Sequence, residues 1–546
     1  MLQYREEMDP EVKPPRRNTT DEIGAPERYA EACRLALDGH YERARAIYRQ
    51  LLKSTTDSRV RARIVSDLAT LTRLDGDVEA ACRGFRDALA LDANCHTARA
   101  NLALLQDGTP GRTLDRVRAR STRVDEAVSP PRQAVRVAIV NLLFNWPTTG
   151  GGVFHTVGLG QFLARDGFEV RHFYAVYPPW GIGAVEGPVP VASVPITFDD
   201  DAWSTETIQL RFREAVRSFH PDYVIVTGSW NSMPLLAEAV GEYPFLLRLG
   251  AMECLCPLNN VRLLCEGEGR FSQCLRHQLA TPEICHQCIE RRGHLSGPLH
   301  QRERALSGVG TPEYDKKLRW AFEAARAVLV VNPLIQMMVG PHARDVRVVT
   351  SGFDPERFSG PWPDEARNRE RGVLRIFFGG LVADALKGFR VLHAACTALW
   401  KRRRDFTLIA TGEPRGQVDE FTHFVGWLPQ DELPHHLRAA DVVVFPTIAQ
   451  EALGRTAVEA MAVGRPVVAS RIGGLPFTVA NAGLLAEPGD PDDLARKIAM
   501  LLDDADLRAH LGAAGRRRFE EAFTWDVIIK RHYMPLLASR VSPGFP

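Results

Sequence analysis

Two carboxylates, Glu451 and Glu459, stand eight residues apart in "QEALGRTAVEAMAVGRPVVAS" (450–470), on either side of Gly454. That pattern suits a ligand with hydroxyl groups at both ends and an anion between, because a carboxylate accepts hydrogen bonds from a vicinal diol in a bidentate manner. "DVVVFPT" (441–447) reads as a buried strand and "IAQEALG" as the loop at its carboxyl end. "RTAVEAMAVG" reads as a helix ended by Gly464, and "RPVVAS" as the next strand. Glu451 is then placed near the positive end of the helix, with Glu459 roughly two turns farther on. Backbone N–H groups of Gly454, Arg455 and Thr456 would meet an anion between them. One ligand accounts for the set: a sugar on Glu451, a diphosphate on the helix start and a ribose on Glu459. Two solvent-facing glutamates are the plainer alternative.

Other stretches could join that ligand. Gly150, Gly151 and Gly152 follow the apolar run "VRVAIVNLLF" (135–144) and allow close backbone approach, although a simple tight turn needs them equally. Gly379 and Gly380 end a strand, and Lys387 precedes a helix, where an ammonium group neutralises phosphate oxygens beside the helix dipole. Alone, it reads as a surface lysine.

The elements that must position these residues alternate strand with helix. "VRVAIVNLLF", a glycine loop, an amphipathic helix, Gly167 and a strand at 169–176 make one β-α-β unit. "PDYVIVTGS" (221–229) and "ARAVLVVNP" (325–333) continue the series. "LRIFFGGLV" (374–382), "DFTLIATG" (405–412), "THFVGWLP" (422–429), "DVVVFPT" and "RPVVASRIG" (465–473) start another. The expectation is an α/β protein of two doubly wound Rossmann-like domains, 134–348 and 349–527, with ligands beyond the strands' carboxyl ends. Upstream, residues 1–24 read as a disordered arm and 107–133 as a linker. Between them, 25–106 is helical and repeats: Gly39 aligns with Gly76, Ala44 with Ala81 and Tyr48 with Phe85, a spacing of 37 residues. This all-α region resembles tetratricopeptide repeats, whose period is about 34. It is a candidate surface for a protein partner or self-association, or a helical cap on its own catalytic domain.

Composition narrows the function classes. Hydrophobic residues make up 45% and charged residues 25%, with 68 basic against 67 acidic residues for a net charge of +1. No large basic footprint for nucleic acid follows. The runs "KRRR" (401–404) and "RRR" (516–518) read as solvated helix faces. The first residues lack the apolar core of a signal peptide, and no run approaches the ~20 apolar residues of a membrane span. The expectation is a cytoplasmic protein, at most peripheral to a membrane.

"EALGRTAVEAMAVGRPVVAS" closely resembles the E-x7-E motif of retaining glycosyltransferases of family 4, which have the two-domain GT-B fold. The glycine loop with "GLGQFLARDGFEV", "SGFDPERF" (351–358), the pair 387–388 and "AGLLAEPGDPDDLA" (482–495) resemble that family in the same order. "FTWDVIIKRHY" (523–533) resembles its final helix, which implies that 528–546 crosses back to the first domain. The resemblance implies that Glu451 contacts hydroxyls of the donor sugar, Glu459 the ribose and Lys387 the diphosphate. The implied reaction moves a sugar from a nucleotide-diphosphate sugar to a glycan, lipid-linked or protein acceptor, with retained anomeric configuration. It needs no cofactor, since fixed protein charges stabilise the leaving diphosphate. Two departures stand out. Gly380 occupies the arginine position of a common "GRL" triplet, a phosphate contact that Arg455 would have to replace, and Gly250 stands where many members carry a histidine. Those departures favour a rival reading, a non-catalytic repeat-bearing scaffold, whereas the intact glutamate pair favours the enzyme. The same motif argues against a nucleotide-sugar epimerase.

Six of the ten cysteines fall between 254 and 288. Cys285 and Cys288 have metal-knuckle spacing, and with Cys274 and Cys256 they make a candidate thiolate set for a structural zinc ion. Reduced buried thiols and redox chemistry are the alternatives. His277, His286 and His294 are candidate substitutes for a thiolate, but read first as surface residues.

Overall fold

The computed structural model describes most of residues 28–102 and 134–537; runs at 148–149, 259–262, 266–270, 361–371 and 415–418 and residue 275 lie outside the description. So do the expected arm, the expected linker, Gly39 and Gly76. The chain separates into two compact units, Met1–Thr122 and Arg123–Pro546.

The first unit is helical: α1 (Tyr41–Ser54), α2 (Ser58–Leu74) and α3 (Val78–Leu91). Asp77 caps α3 by accepting a hydrogen bond from Ala80 N–H at 2.9 Å. Ala44, Tyr48, Ala81 and Phe85, the residues matched between the two sequence segments, are all buried. A Cβ on Gly84 would lie 2.8 Å from Ala69 Cβ, so α2 and α3 pack with their backbones close.

The second unit holds two parallel sheets, a two-stranded antiparallel hairpin and surrounding helices. The unit's strands in chain order are β1 (Arg136–Asn141), β2 (Glu169–Val176), β3 (Ser193–Thr197), β4 (Tyr223–Thr227), β5 (Phe245–Leu249), the hairpin β6 (Leu263–Cys265) and β7 (Phe271–Gln273), β8 (Ala327–Val330), β9 (Val346–Val348), β10 (Leu374–Phe378), β11 (Phe406–Ala410), β12 (Thr422–Phe424), β13 (Val442–Phe445), β14 (Val467–Ser470) and β15 (Gly483–Ala486). The first sheet runs β3-β2-β1-β4-β5-β8-β9 and the second β12-β11-β10-β13-β14-β15. Central strands such as β4 and β14 are buried on both faces, the reason they read as unbroken apolar runs. This is the expected fold of two doubly wound Rossmann-like domains, the GT-B arrangement, preceded by a helical region.

Four strands of the two parallel sheets, and both strands of the hairpin, were not legible as such. β3, β9 and β15 are edge strands, short or interrupted by Pro195 and Gly483, where the apolar signal is weakest. β5 is central, but its sequence FLLRL carries Arg248, and a charge argues against a strand buried on both faces. The basic runs also differ from expectation. Arg403 sits in the turn after a helix and pairs with Asp405 and Asp503. Arg518 is half-buried and donates to the carbonyls of Phe477 and Thr478.

Two chain passages join the lobes and pair with each other: Phe353 N–H donates to Phe523 O at 2.8 Å, and Trp525 N–H to Phe353 O at 3.2 Å. Trp525, Ile528, Ile529, Tyr533, Leu536 and Leu537 then enter the first lobe's core beside Ile139 and Leu159. The return therefore begins at Trp525, three residues before the expected boundary at 528. Its indole is wedged between two glycines: a Cβ on Gly158 or Gly352 would lie 2.6 or 2.1 Å from a ring atom. Gly352→Ala is expected to force the indole out of this slot, at a cost of about 1–3 kcal/mol. A lower urea midpoint at unchanged slope would check it.

Candidate active site

Helix α4 (Gly151–Arg165) follows β1 and opens with Gly151 and Gly152 at the cleft between the lobes. On the other side, β10 ends at Gly379 and Gly380. Asp384 then turns the chain by accepting from Leu386 N–H at 2.9 Å, and Lys387 and Gly388 precede α5 (Phe389–Trp400). Gly388 has φ 77°, and a Cβ there would fall 1.9 Å from Pro446 O, so only glycine lets this turn lie on the end of β13. Two hydrogen bonds zip the turn to the loop leaving β13: Ile448 N–H and Thr447 Oγ1 each donate to Leu386 O at 2.9 Å.

That contact brings Lys387 to Glu451, with Nζ 3.2 Å from Oε2. The Glu451 carboxylate raises the Lys387 ammonium above its ordinary value, so it stays charged. The Glu451 backbone is fixed from a third direction. Gly474 N–H donates to Glu451 O at 2.7 Å, and Asn332 of the first lobe donates from Nδ2 to Ala452 O at 2.6 Å.

Gly454, at φ 78°, ends the loop, and α6 (Arg455–Ala462) starts directly after it. Residues 451–454 are not helical, so Glu459 lies about one turn into the helix rather than two beyond Glu451. Glu459 is 2% exposed and faces Arg455, 3.4 Å away. The Arg455 guanidinium also lies over the Phe353 ring at 4.5 Å and the Phe154 ring at 5.7 Å. A Cβ on Gly151 would be 2.8 Å from Arg455 Cδ, so the glycine is what admits this side chain across the cleft. Thr456 Oγ1 donates to Gly379 O at 3.3 Å.

All nine residues nominated for sugar, nucleotide or catalysis line one cleft of about 410 Å³: Gly151, Gly152, Gly380, Lys387, Glu451, Gly454, Arg455, Thr456 and Glu459. Sequence reasoning missed four further participants: His155, Glu253, Asn332 and Trp427. His155, Glu253 and Trp427 line the cleft, and Glu253 Oε1 accepts from Gly250 N–H at 2.9 Å. Asn332 was findable, because an Asn before Pro after an apolar strand is a helix cap, and its Oδ1 does accept from Ile335 N–H at 2.9 Å. Nothing local marked the others.

Cys256, Cys274, Cys285 and Cys288 lie within electrostatic reach of one another. Burial and the neighbouring thiols push Cys285 up to about 12 and raise Cys274 and Cys288. Among the described residues, however, no three His, Cys, Asp or Glu side chains converge to hold a metal ion. His277, expected at the surface, is buried, and its burial lowers it to about 3.

A buried network joins this insert to the cleft loop. Glu303 accepts from Ser232 N–H at 2.6 Å and Asn231 Nδ2 at 3.2 Å. Gln278 donates to Asn231 Oδ1 at 3.2 Å and Cys254 O at 2.7 Å. Burial raises the Glu303 carboxyl from 4.5 to about 7.

Comparison with known proteins follows the same outline. Residues 373–504 match the family model of glycosyl transferases group 1. The chain is 34% identical over 220 residues to 2-deoxystreptamine glucosyltransferase of Streptomyces kanamyceticus, covering 35% of this chain and 56% of that one. It is 36% identical over 217 residues to D-inositol 3-phosphate glycosyltransferase of Salinispora tropica, covering 34% and 44%. The chain thus spans about half the length of these relatives. Among solved structures, sucrose-phosphate synthase from Thermosynechococcus elongatus is similar at a TM-score of 0.54 and 20% identity, covering 74% of this chain and 99% of that one. Anabaena HepE, solved with UDP and glucose, is similar at 0.51 and 15%, covering 74% and 100%. These likenesses show the GT-B fold. No helix among the described residues is long and apolar enough to cross a membrane.

The Glu303 carboxyl carries a pH signature. Its folded pKa lies above its unfolded value, so the folded state binds the extra proton and stability is lost as pH rises from about 4.5 to about 7. The fall is on the order of 3 kcal/mol. Thermal midpoints across that window should drop in the wild type, and Glu303→Gln should flatten the slope whatever its absolute stability.

Proposed function

We propose that this protein is a retaining glycosyltransferase that moves a sugar from a nucleotide-diphosphate sugar to a glycan, lipid-linked or protein acceptor. The observation that carries the reading is the Lys387–Glu451 pair at 3.2 Å, set beside the start of the helix that bears Glu459, in a cleft between two lobes. In this reading Glu451 holds hydroxyls of the donor sugar, and Lys387 neutralises charge developing on the leaving diphosphate. The first-turn N–H groups at Gly454, Arg455 and Thr456 have no acceptor within the helix and add to that field. Glu459 holds the ribose, sharing its carboxylate with Arg455. Arg455 supplies a fixed positive charge near the diphosphate, where Gly380 supplies none. The role of these groups is orientation and charge stabilisation, with no cofactor required. A non-catalytic scaffold gains nothing from this arrangement, so the enzyme is the reading supported.

The helical region is proposed to bind a protein partner or a second copy through tetratricopeptide-like repeats. The four thiols are proposed as a structural zinc site on charge grounds: Cys256 disfavours the thiolates of Cys274, Cys285 and Cys288, and a divalent cation reverses that penalty. About one zinc per purified chain by elemental analysis is the expected result, and a metal-free folded protein ends that proposal.

The donor site is tested by calorimetry with nucleoside diphosphates and their sugars. Glu459→Ala should weaken nucleotide affinity roughly 10-fold or more, the scale of a lost charged hydrogen bond. Lys387→Ala should lower turnover further than affinity, because its charge matters most as the diphosphate leaves. Unchanged affinity in Glu459→Ala removes that residue from the ribose.

A further inference from the structure

Arg248 is wholly buried near the end of β5, and its Nε–H donates to His155 Nε2 at 3.1 Å. A guanidinium group has no acceptor, so Nε2 must offer its lone pair. The imidazole proton of His155 is therefore on Nδ1. That nitrogen has no partner within the protein, although His155 is 3% exposed and buried polar groups are normally satisfied. The same ring lines the cleft, beside Gly151, Gly152 and Gly250. Its surroundings are cationic: Arg248 and Arg455 both act on it, and it stands in the first turns of α4, whose amide dipoles point positive. Burial and these two arginines hold the imidazole well below its ordinary range, so it stays a neutral donor. Trp525 holds one face of the ring, with centroids 5.2 Å apart.

We propose that His155 is a ligand-binding residue whose Nδ1–H donates to a phosphate oxygen of the nucleotide diphosphate, with Arg248 as the positioning residue that sets its tautomer. The diphosphate is then gripped from both lobes, by Lys387 and Arg455 on one side and His155 on the other. The inference rests on the nucleotide-sugar reading above and assigns it a residue that neither spacing nor motif nominated.

Two substitutions separate this role from simple packing. The amide nitrogen of Asn overlays Nδ1, while Gln reaches the Nε2 position. His155→Asn should keep the donor to phosphate but lose the acceptor for Arg248. His155→Gln should do the reverse. Calorimetry with UDP, GDP and ADP, and with the matching monophosphates, would be run beside thermal unfolding without nucleotide. In His155→Gln, diphosphate affinity should fall about 10-fold or more with the unliganded midpoint kept. In His155→Asn, the unliganded midpoint should fall while diphosphate affinity stays within about threefold of wild type. Equal diphosphate affinity in His155→Gln and wild type overturns the inference alone. Parallel loss of affinity and unliganded stability in both variants overturns it as well. If the wild type binds no nucleoside diphosphate or its sugar, the nucleotide-sugar reading fails and takes the inference with it.

Discussion

Two carboxylates eight residues apart on a continuous helix would stand ~12 Å apart along its axis, with the backbone N–H groups between them already bonded and none free for an anion. Here Glu451 lies in the loop that leaves β13, and the chain enters helical geometry only after Gly454, whose φ of 78° excludes other residues at little cost to glycine. Glu451 is thereby held in a loop above the sheet edge, while Glu459 sits one turn inside the helix. Leu453 anchors the loop in the second lobe's core, and hydrogen bonds from three sides fix the residues before it. The Lys387 turn, Gly474 and Asn332 each supply one or more. Removing any of them would loosen both carboxylates together.

The site also depends on cations held by packed rings and buried partners. Arg455 is flanked by Phe154 and Phe353 and faces Glu459, so its charge is stabilised by ring faces as well as by a carboxylate. Arg248 is buried with a histidine as one of its acceptors, an arrangement that keeps the cation and denies the imidazole a proton. Such groups contribute field at low reorganisation cost, which is the property a departing diphosphate requires.

The lobes are not independent bodies joined by a string. The return passage pairs with the outgoing one at Phe353, and Trp525 fills a slot bounded by Gly352 of the outgoing passage and Gly158 of the first lobe's helix. The same indole touches His155, so the crossing segment, the first lobe's helix and the cleft share one packed contact. The buried Glu303 network ties the cysteine-bearing insert to the loop that carries Gly250 and Glu253 in a comparable way.

Much of this was legible in the residues alone. Unbroken apolar runs marked the central strands because a strand covered on both faces tolerates little else, and glycines marked the turns because only they adopt those angles. The glutamate pair and Lys387 were legible from their places at strand ends. Three of the four edge strands, β3, β9 and β15, were not, since an edge strand is less fully buried and the apolar signal fades. β5 was hidden by its arginine, whose partners lie 93 residues earlier in the chain and at its own neighbour's carbonyl. His155, Asn332 and Trp525 owe their roles to long-range proximity, which no local periodicity encodes. Local chemistry thus marked most of the elements and the residue types gathered at the cleft. Tertiary packing alone decided which of them face each other, because charge pairing and tautomer depend on distances that only the folded chain sets.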